Sequence, residues 1–287
     1  MPVKILYDIY QTYLMPDKAF IKRSFKSGFG YELNLDRPKT LNEKIQWLKL
    51  NHRTPLHTIC ADKYAVREYV KEKIGEEHLI PLAFHTRNPA NIIPDNLPDY
   101  PFIIKTNHDN SGHIVVKDKS TIDWKSVQET LKKKLKRNYY YPGREWQYKD
   151  IEPYIIVEKL LMDEKGNIPN DYKLHCFNGR VAFIQVDLDR SIDHKRNLYD
   201  VDWNFMDCVW IFNNGSALER PCLLPKMLSL AEIPAKDFHY VRVDLYNIGS
   251  AIYVGELTFS PGGGFEVFSP PEWDVKLGNM LILPIDD

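Results

Sequence analysis

The densest chemistry in this chain lies near its end, where Val241-Arg242-Val243-Asp244-Leu245-Tyr246 is followed by Tyr253-Val254-Gly255-Glu256-Leu257-Thr258. Both runs read as strands, so Arg242 and Asp244 share one face, and Val254, Glu256 and Thr258 share one face of the partner. Whether those faces coincide depends on the turn. A two-residue loop, Ile248-Gly249, would set Asp244 and Glu256 on opposite faces, and a three-residue loop, Ile248-Gly249-Ser250, would bring them together; the second is expected. Two carboxylates and a hydroxyl converging from adjacent strands make an all-oxygen site suited to Mg²⁺, which keeps its other octahedral positions for water and phosphates. The plainer alternative is a surface salt bridge from Arg242 to Asp244 or Glu256.

A second candidate is Thr106-Asn107-His108-Asp109-Asn110-Ser111-Gly112, set between Lys105 and Lys117. Its composition suits either a loop that closes over phosphates with backbone N–H groups and side-chain donors, or an exposed hairpin tip. A cation at the end of an apolar strand needs an anion to justify its burial, unless it snorkels to solvent. Further on, Asp187, Asp189, Arg190, His194, Lys195 and Arg196 cluster after a hairpin, as a substrate-facing group or an exposed charged loop. The turn Pro261-Gly262-Gly263-Gly264-Phe265-Glu266 could offer N–H groups to a tetrahedral intermediate, or simply lead into a C-terminal helix. The nine histidines show no ligand spacing.

These groups need elements to position them. Ile5, Leu6, Ile9 and Tyr13 have helical spacing before Pro16, and Thr40-Leu41-Asn42-Glu43 is a capping box opening a helix with Leu41, Ile45 and Leu48 on one side. Asp62-Lys63 opens another helix, with Val66, Tyr69, Val70 and Ile74 inward and Gly75 as its stop. From Phe102 the period changes: Phe102 to Lys105 and His113 to Lys117 form a hairpin around the polar loop. A helix from Asp123 to Lys136 carries the basic string Lys132 to Arg137, read as a solvated face. A strand from Tyr154 to Leu161 precedes the hairpin Lys173 to Phe177 and Arg180 to Val186, whose Asn178-Gly179 is the preferred type I′ pair. A short helix near Met227 to Glu232 leads into the final hairpin.

Composition sets the class. The 287 residues, 44% hydrophobic and 27% charged, are those of an ordinary globular protein with a sizeable core. The net charge of -1 gives no global pull towards nucleic acid or anionic lipid. Cys60, Cys176, Cys208 and Cys222 lack zinc or disulfide spacing, there is no secretory signal pattern near Lys4 and Asp8, and no apolar run spans a membrane; the expected location is cytoplasmic.

The order Asp62-Lys63, Phe102-Ile103-Ile104-Lys105 with a polar loop, Val157-Glu158-Lys159-Leu160, Asn170-Asp171-Tyr172-Lys173, Arg242 to Tyr246 and Gly255-Glu256-Leu257-Thr258 resembles the ATP-grasp superfamily. Asn42 to Lys49, Arg144 to Lys149 and Pro169 to Lys173 are similar to its TupA-like branch, found in surface-polysaccharide gene clusters and named for a teichuronopeptide biosynthesis protein. The similarity runs from near residue 20 to 284. It implies an α+β ATP-grasp fold with two sheet-containing lobes enclosing ATP: a helical region over 1–60, then an ATP-grasp domain over 61–287, divided near 100–155 and 156–287.

By this resemblance Lys63 and Lys105 reach the phosphates, with Ser111 in the flexible loop. Glu158 faces the adenine amine, backbone groups of Lys159 and Leu160 complete that contact, and Asp171, followed by Lys173, serves the ribose. Arg242 steadies the reacting phosphate, Asp244 and Glu256 ligate Mg²⁺, and Lys195-Arg196 resemble a cationic segment near the γ-phosphate and carboxyl substrate. Thr258 stands where relatives carry Asn, leaving one metal or two open. The loop is poorer in glycine than in relatives, and Asp109 would repel phosphates unless it points away. The implied activity is carboxylate–amine ligation through an acylphosphate, joining an amino acid or amino alcohol to a uronic acid, free or glycan-linked, with possible ties to polysaccharide assembly machinery. The alternatives are a glycosyltransferase using Asp187-Leu188-Asp189, and a nucleotide-binding scaffold without turnover.

Overall fold

A computed structural model describes residues 10–110, 112–188 and 193–285. Ile5, Leu6 and Ile9 of the expected first helix lie outside these residues, as do Ser111, Asp189 and Arg190; Tyr10–Leu14 make one helical turn. Helix α1 (Asp17–Phe29) ends at Gly30 in the left-handed conformation, and α2 (Leu41–Asn51) carries the expected Thr40/Glu43 capping box. After α3 (Pro55–Ala61), α4 begins at Val66 and runs to Ile74, later than expected. The Asp62 carboxylate accepts from the N–H groups of Tyr64 and Ala65, holding Asp62-Lys63 in a turn ahead of the helix.

Two antiparallel sheets follow. The first contains β1 (Leu82–Thr86), β2 (Phe102–Thr106), β3 (Ile114–Val116) and β4 (Ile155–Lys159), in the order β1-β4-β2-β3. It therefore extends on both sides of the expected 100–155 boundary, because β1 and β4 pair with each other. Helix α5 (Trp124–Lys134) covers one face, burying Val127 and Leu131 against Phe102, Ile104, Val116, Ile155 and Val157. Its lysine-rich last turn remains at the surface, where it complements the helix C-terminus.

The second sheet contains β5 (Asp171–Phe177), β6 (Arg180–Leu188), β7 (Lys195–Tyr199), β9 (Tyr240–Ile248) and β10 (Ala251–Thr258), in the order β10-β9-β5-β6-β7, with β8 (Val209–Trp210) and β11 (Phe268–Ser269) paired apart. Asn178 and Gly179 both have positive φ, as a type I′ turn requires. Alternate residues of this sheet, including Leu174, Ile184, Val186, Val243 and Leu245, are buried in one core with α4 and with α6 (Leu224–Ala235). Helix α7 (Glu272–Met280) packs on α2 in a second core. Among the described residues no helix is long and apolar enough to cross a membrane.

Candidate functional site

The last hairpin reaches the expected arrangement by a different route. Ala251 pairs with Ile248, so the loop is the two residues Gly249-Ser250, and that register alone would place Gly255 opposite Asp244. A bulge between Val254 and Glu256 shifts the pairing by one, setting Glu256 opposite Asp244 and Thr258 opposite Arg242. The three-residue turn is thus corrected to a two-residue turn plus a bulge. Gly255 permits it, since a Cβ there would sit 2.8 Å from Cε2 of Tyr246.

Arg242 lies between the two acids. Its Nε and Nη2 donate to the two Asp244 carboxylate oxygens at 2.6 and 2.7 Å, and Nη2 donates to Glu256 Oε1 and Thr258 Oγ1 at 3.0 Å each. The Thr258 hydroxyl donates to Glu256 Oε1 at 2.6 Å, and Lys63 Nζ stands 3.8 Å from Glu256 Oε2. Burial alone would raise the Glu256 pKa, but Lys63, Arg242 and the Thr258 hydrogen bond hold it down to about 2. Lys173 pairs with Asp171 and lies 3.3 Å from Asp244; burial lowers its pKa while Asp244 opposes that fall. Lys63 behaves alike, pulled down by burial and supported by Glu256.

The charged row continues across the sheet. Asp187 accepts from Gln185 and from Arg196 Nε at 2.8 Å, and Arg196 Nη1 reaches Glu266 at 3.0 Å. Arg196 therefore joins the polar face already paired on two sides. Its neighbour Lys195 faces the other way, as strand alternation demands, and its Nζ pairs with exposed Asp193 at 3.0 Å. This corrects the expectation that Lys195 and Arg196 act as one cationic segment. Asp187 is also 3.3 Å from His194. Cations and Gln185 surround Asp187, and Asp189, the other acid of Asp187-Leu188-Asp189, lies outside the described residues.

On the first sheet, Glu158 takes Lys105 Nζ at 2.6 Å on one oxygen and Arg67 Nη1 at 3.1 Å on the other. The N–H groups of Lys159 and Leu160 donate to the carbonyls of Pro81 and Pro101, so neither N–H is open to a base edge. The polar loop divides: Thr106, Asn107, His108 and Asp109 are buried, whereas Asn110, Gly112 and His113 are exposed. Asn107 donates to Asp62 at 2.7 Å, and Lys63 Nζ donates to the Asp109 carbonyl and the Asn110 amide oxygen. The Asp109 carboxylate accepts from the Thr106 hydroxyl at 2.6 Å, so its charge is turned inward.

The structure thus gathers Lys63, Asp171, Lys173, Arg242, Asp244, Glu256 and Thr258 in one cluster and pairs Lys105 with Glu158 in another. Sequence reasoning missed Arg67, although it lies only four residues after Lys63, and it missed the buried residues of α2 beside the glycine turn. Among the described residues no three His, Cys, Asp or Glu side chains form a metal-ligand set. Chemically, the cluster offers two hard carboxylates and a hydroxyl for a cation, ringed by lysines and arginine for an anion.

A family model described as TupA-like ATPgrasp matches residues 43–282. No curated protein matches the chain. Among solved structures, D-alanine–D-alanine ligase from Bacillus anthracis is similar at 17% identity and TM-score 0.44, covering 77% of this chain and 63% of its own. The corresponding ligase from Helicobacter pylori gives 14% and 0.42 over 85% and 70%, and the ATP-grasp ligase PsnB, complexed with Mg and ADP, gives 11% and 0.41 over 77% and 58%. The chain therefore spans less than two thirds of the Bacillus anthracis ligase and of PsnB.

Proposed function

The chain belongs to the TupA-like ATP-grasp family, and we propose that it is an ATP-dependent carboxylate–amine ligase that attaches an amino acid or amino alcohol to a uronic acid in surface-polysaccharide biosynthesis. In this reading residues 61–287 are the ATP-grasp domain and 1–60 a helical preface. One observation carries it: the Gly255 bulge turns Asp244 and Glu256 onto one face, beside Lys63 and Arg242.

The residues present fit Mg²⁺ with a polyphosphate. Magnesium prefers one or two carboxylates and fills its remaining positions with water and substrate phosphates rather than an all-protein cage. Asp244, Glu256 and Thr258 make such a partial set, and both carboxylates already converge on one cation, Arg242. Held by Asp244, Glu256 and Thr258, the ion would supply charge neutralisation to the phosphates.

This chain's own groups do the rest. Lys63 and Lys105 take phosphate oxygens, and Arg242 steadies the transferring phosphate. Glu158, held by Lys105 and Arg67, faces the adenine amine, and Asp171 with Lys173 serves the ribose. In the first step a substrate carboxylate oxygen attacks the γ-phosphorus, forming an acylphosphate as ADP leaves. In the second an amine attacks the acyl carbon, phosphate departs, and the amine loses a proton to give the amide. No Ser or Cys nucleophile is required, because positioning and charge provide the catalysis.

The test is purified protein with Mg²⁺, ATP and a panel of uronic acids in the presence of hydroxylamine, which intercepts an acylphosphate as a hydroxamate. Expected are ADP and hydroxamate in equal amounts, dependent on one uronic acid. Hydroxamate absent across the panel, with Mg·ATP bound, would leave the scaffold alternative standing.

A further inference from the structure

Helix α2 places three buried polar side chains on one face, Asn42, Gln46 and Lys49, at helical spacing. All three donate to carbonyls of the glycine turn that follows the metal strand. Gln46 Nε2 donates to the carbonyls of Gly263 and Gly264 at 3.0 and 2.7 Å, and Asn42 Nδ2 donates to that of Glu266 at 3.0 Å. Lys49 Nζ donates to the Gly263 carbonyl at 2.7 Å and to the Gly143 carbonyl at 2.8 Å.

A lysine this deep is costly unless its protons are satisfied, and here carbonyls on two separate segments take two of them while Nζ lies 4.7 Å from the centre of the Phe265 ring. The turn in turn needs an outside hold: Gly262, Gly263 and Gly264 have φ of 56, 66 and 72°, a run that free glycines populate only as one option among many. Room for the hold is tight, since a Cβ on Gly264 would sit 2.7 Å from Gln46 Nε2. The far end of the turn is tied to the polar face, where Glu266 pairs with Arg196. Through Gly143 the same lysine reaches the segment of Tyr148, whose hydroxyl accepts from Asn110, itself an acceptor for Lys63.

We propose that Lys49 and Gln46 are positioning residues that hold the Pro261–Glu266 turn, and with it the acceptor end of the site, in register with Glu256 and Thr258. The assignment of that end to the acceptor rests on the ligase reading. The clamp itself rests on the hydrogen bonds above. Burial lowers the Lys49 pKa and raises that of buried Glu145, each charge opposing the other's shift.

The experiment compares the full chain with Lys49→Met and Gln46→Leu. Hydrogen exchange over residues 259–267, calorimetric titration with Mg·AMPPNP, and ADP formation with Mg·ATP and the uronic acid panel are measured on each. Lys49→Met is expected to speed exchange in the turn roughly tenfold, the loss of its charged hydrogen bond to Gly263, with β2 and β4 unchanged. Nucleotide affinity should stay within about twofold while kcat falls about a hundredfold, the cost of a misplaced acceptor. Gln46→Leu should move both readouts in the same direction and carries the test if Lys49→Met does not fold. Unchanged exchange in the turn, loosening spread evenly over both sheets, or an unchanged kcat overturns the proposal. Wild-type protein that binds no nucleotide would instead sink the ligase reading, and the exchange data would still decide the clamp.

Discussion

The two faces of the five-stranded sheet are built from the same strands and differ in almost everything else. On one, Leu174, Ile184, Val186, Val243 and Leu245 are buried among helices. On the other, carboxylates and cations alternate from Glu256 through Arg242, Asp244 and Lys173 to Asp187 and Arg196, with Glu266 beyond. The period of two lets neighbouring residues serve unrelated ends: Val243 holds the fold while Arg242 and Asp244 hold charge. The polar face keeps its ions only because each has a partner, and removing one strands another. It is close to neutral as it stands, so an anionic ligand bound there would come with a cation of its own.

If the faces are as separate as this, damage to each should show in a different measurement. Glu256→Gln should cut metal-dependent turnover about a thousandfold or more, because it removes charge at nearly constant volume, and should lower the melting temperature only as far as Lys63 and Arg242 lose a charged partner. A turnover assay with a thermal melt checks both halves. Leu245→Ala should do the reverse: a loss of about 2–5 kcal/mol in denaturant unfolding, with Mg·AMPPNP affinity preserved in whatever fraction stays folded.

The next effect tests the apolar side through pH. His57 packs against Trp146, Phe238 and Phe259, and its pKa falls from 6.5 to about 4, chiefly by burial, with His52 adding repulsion. The native state therefore keeps it neutral, and the unfolded chain takes a proton first. Its contribution is whole above pH 6.5 and declines towards pH 4, by roughly 3 kcal/mol in total. Unfolding titrations of wild type and His57→Gln between those limits should differ in slope, the variant being flatter. The smallest effect is at the bulge. Gly255→Ala should cost about 1–2 kcal/mol against the Tyr246 ring and weaken Mg·AMPPNP about tenfold as Glu256 is displaced; equal affinity would mean that the bulge does not set the site.

Much of this was legible in the sequence where short-range chemistry decides. The Thr40/Glu43 capping box, the Asn178-Gly179 turn and the Arg242/Asp244 alternation depend on residues close in the chain, and each formed as read. The bulge was not legible, because one residue of slip depends on the Tyr246 ring meeting a glycine across the hairpin. Lys195 was grouped with Arg196 through the resemblance to a cationic segment, although strand geometry separates neighbours. The buried loop at Thr106–Asp109 was hidden for another reason: its polar residues are satisfied by Asp62, Glu152 and Arg137, which lie at a distance in sequence. The α2 clamp joins Gln46 to Gly263, 217 positions apart, and no local pattern announces it.

Under the ligase reading, Asp244 and Glu256 act together on a metal-bound triphosphate. Calorimetric titration of wild type, Asp244→Asn and Glu256→Gln with AMPPNP, with and without Mg²⁺, tests it directly. Tight binding is expected only for wild type with Mg²⁺, with loss of the magnesium-dependent part in each variant. Equal affinity with and without the ion, or variants that keep the full magnesium dependence, would contradict it.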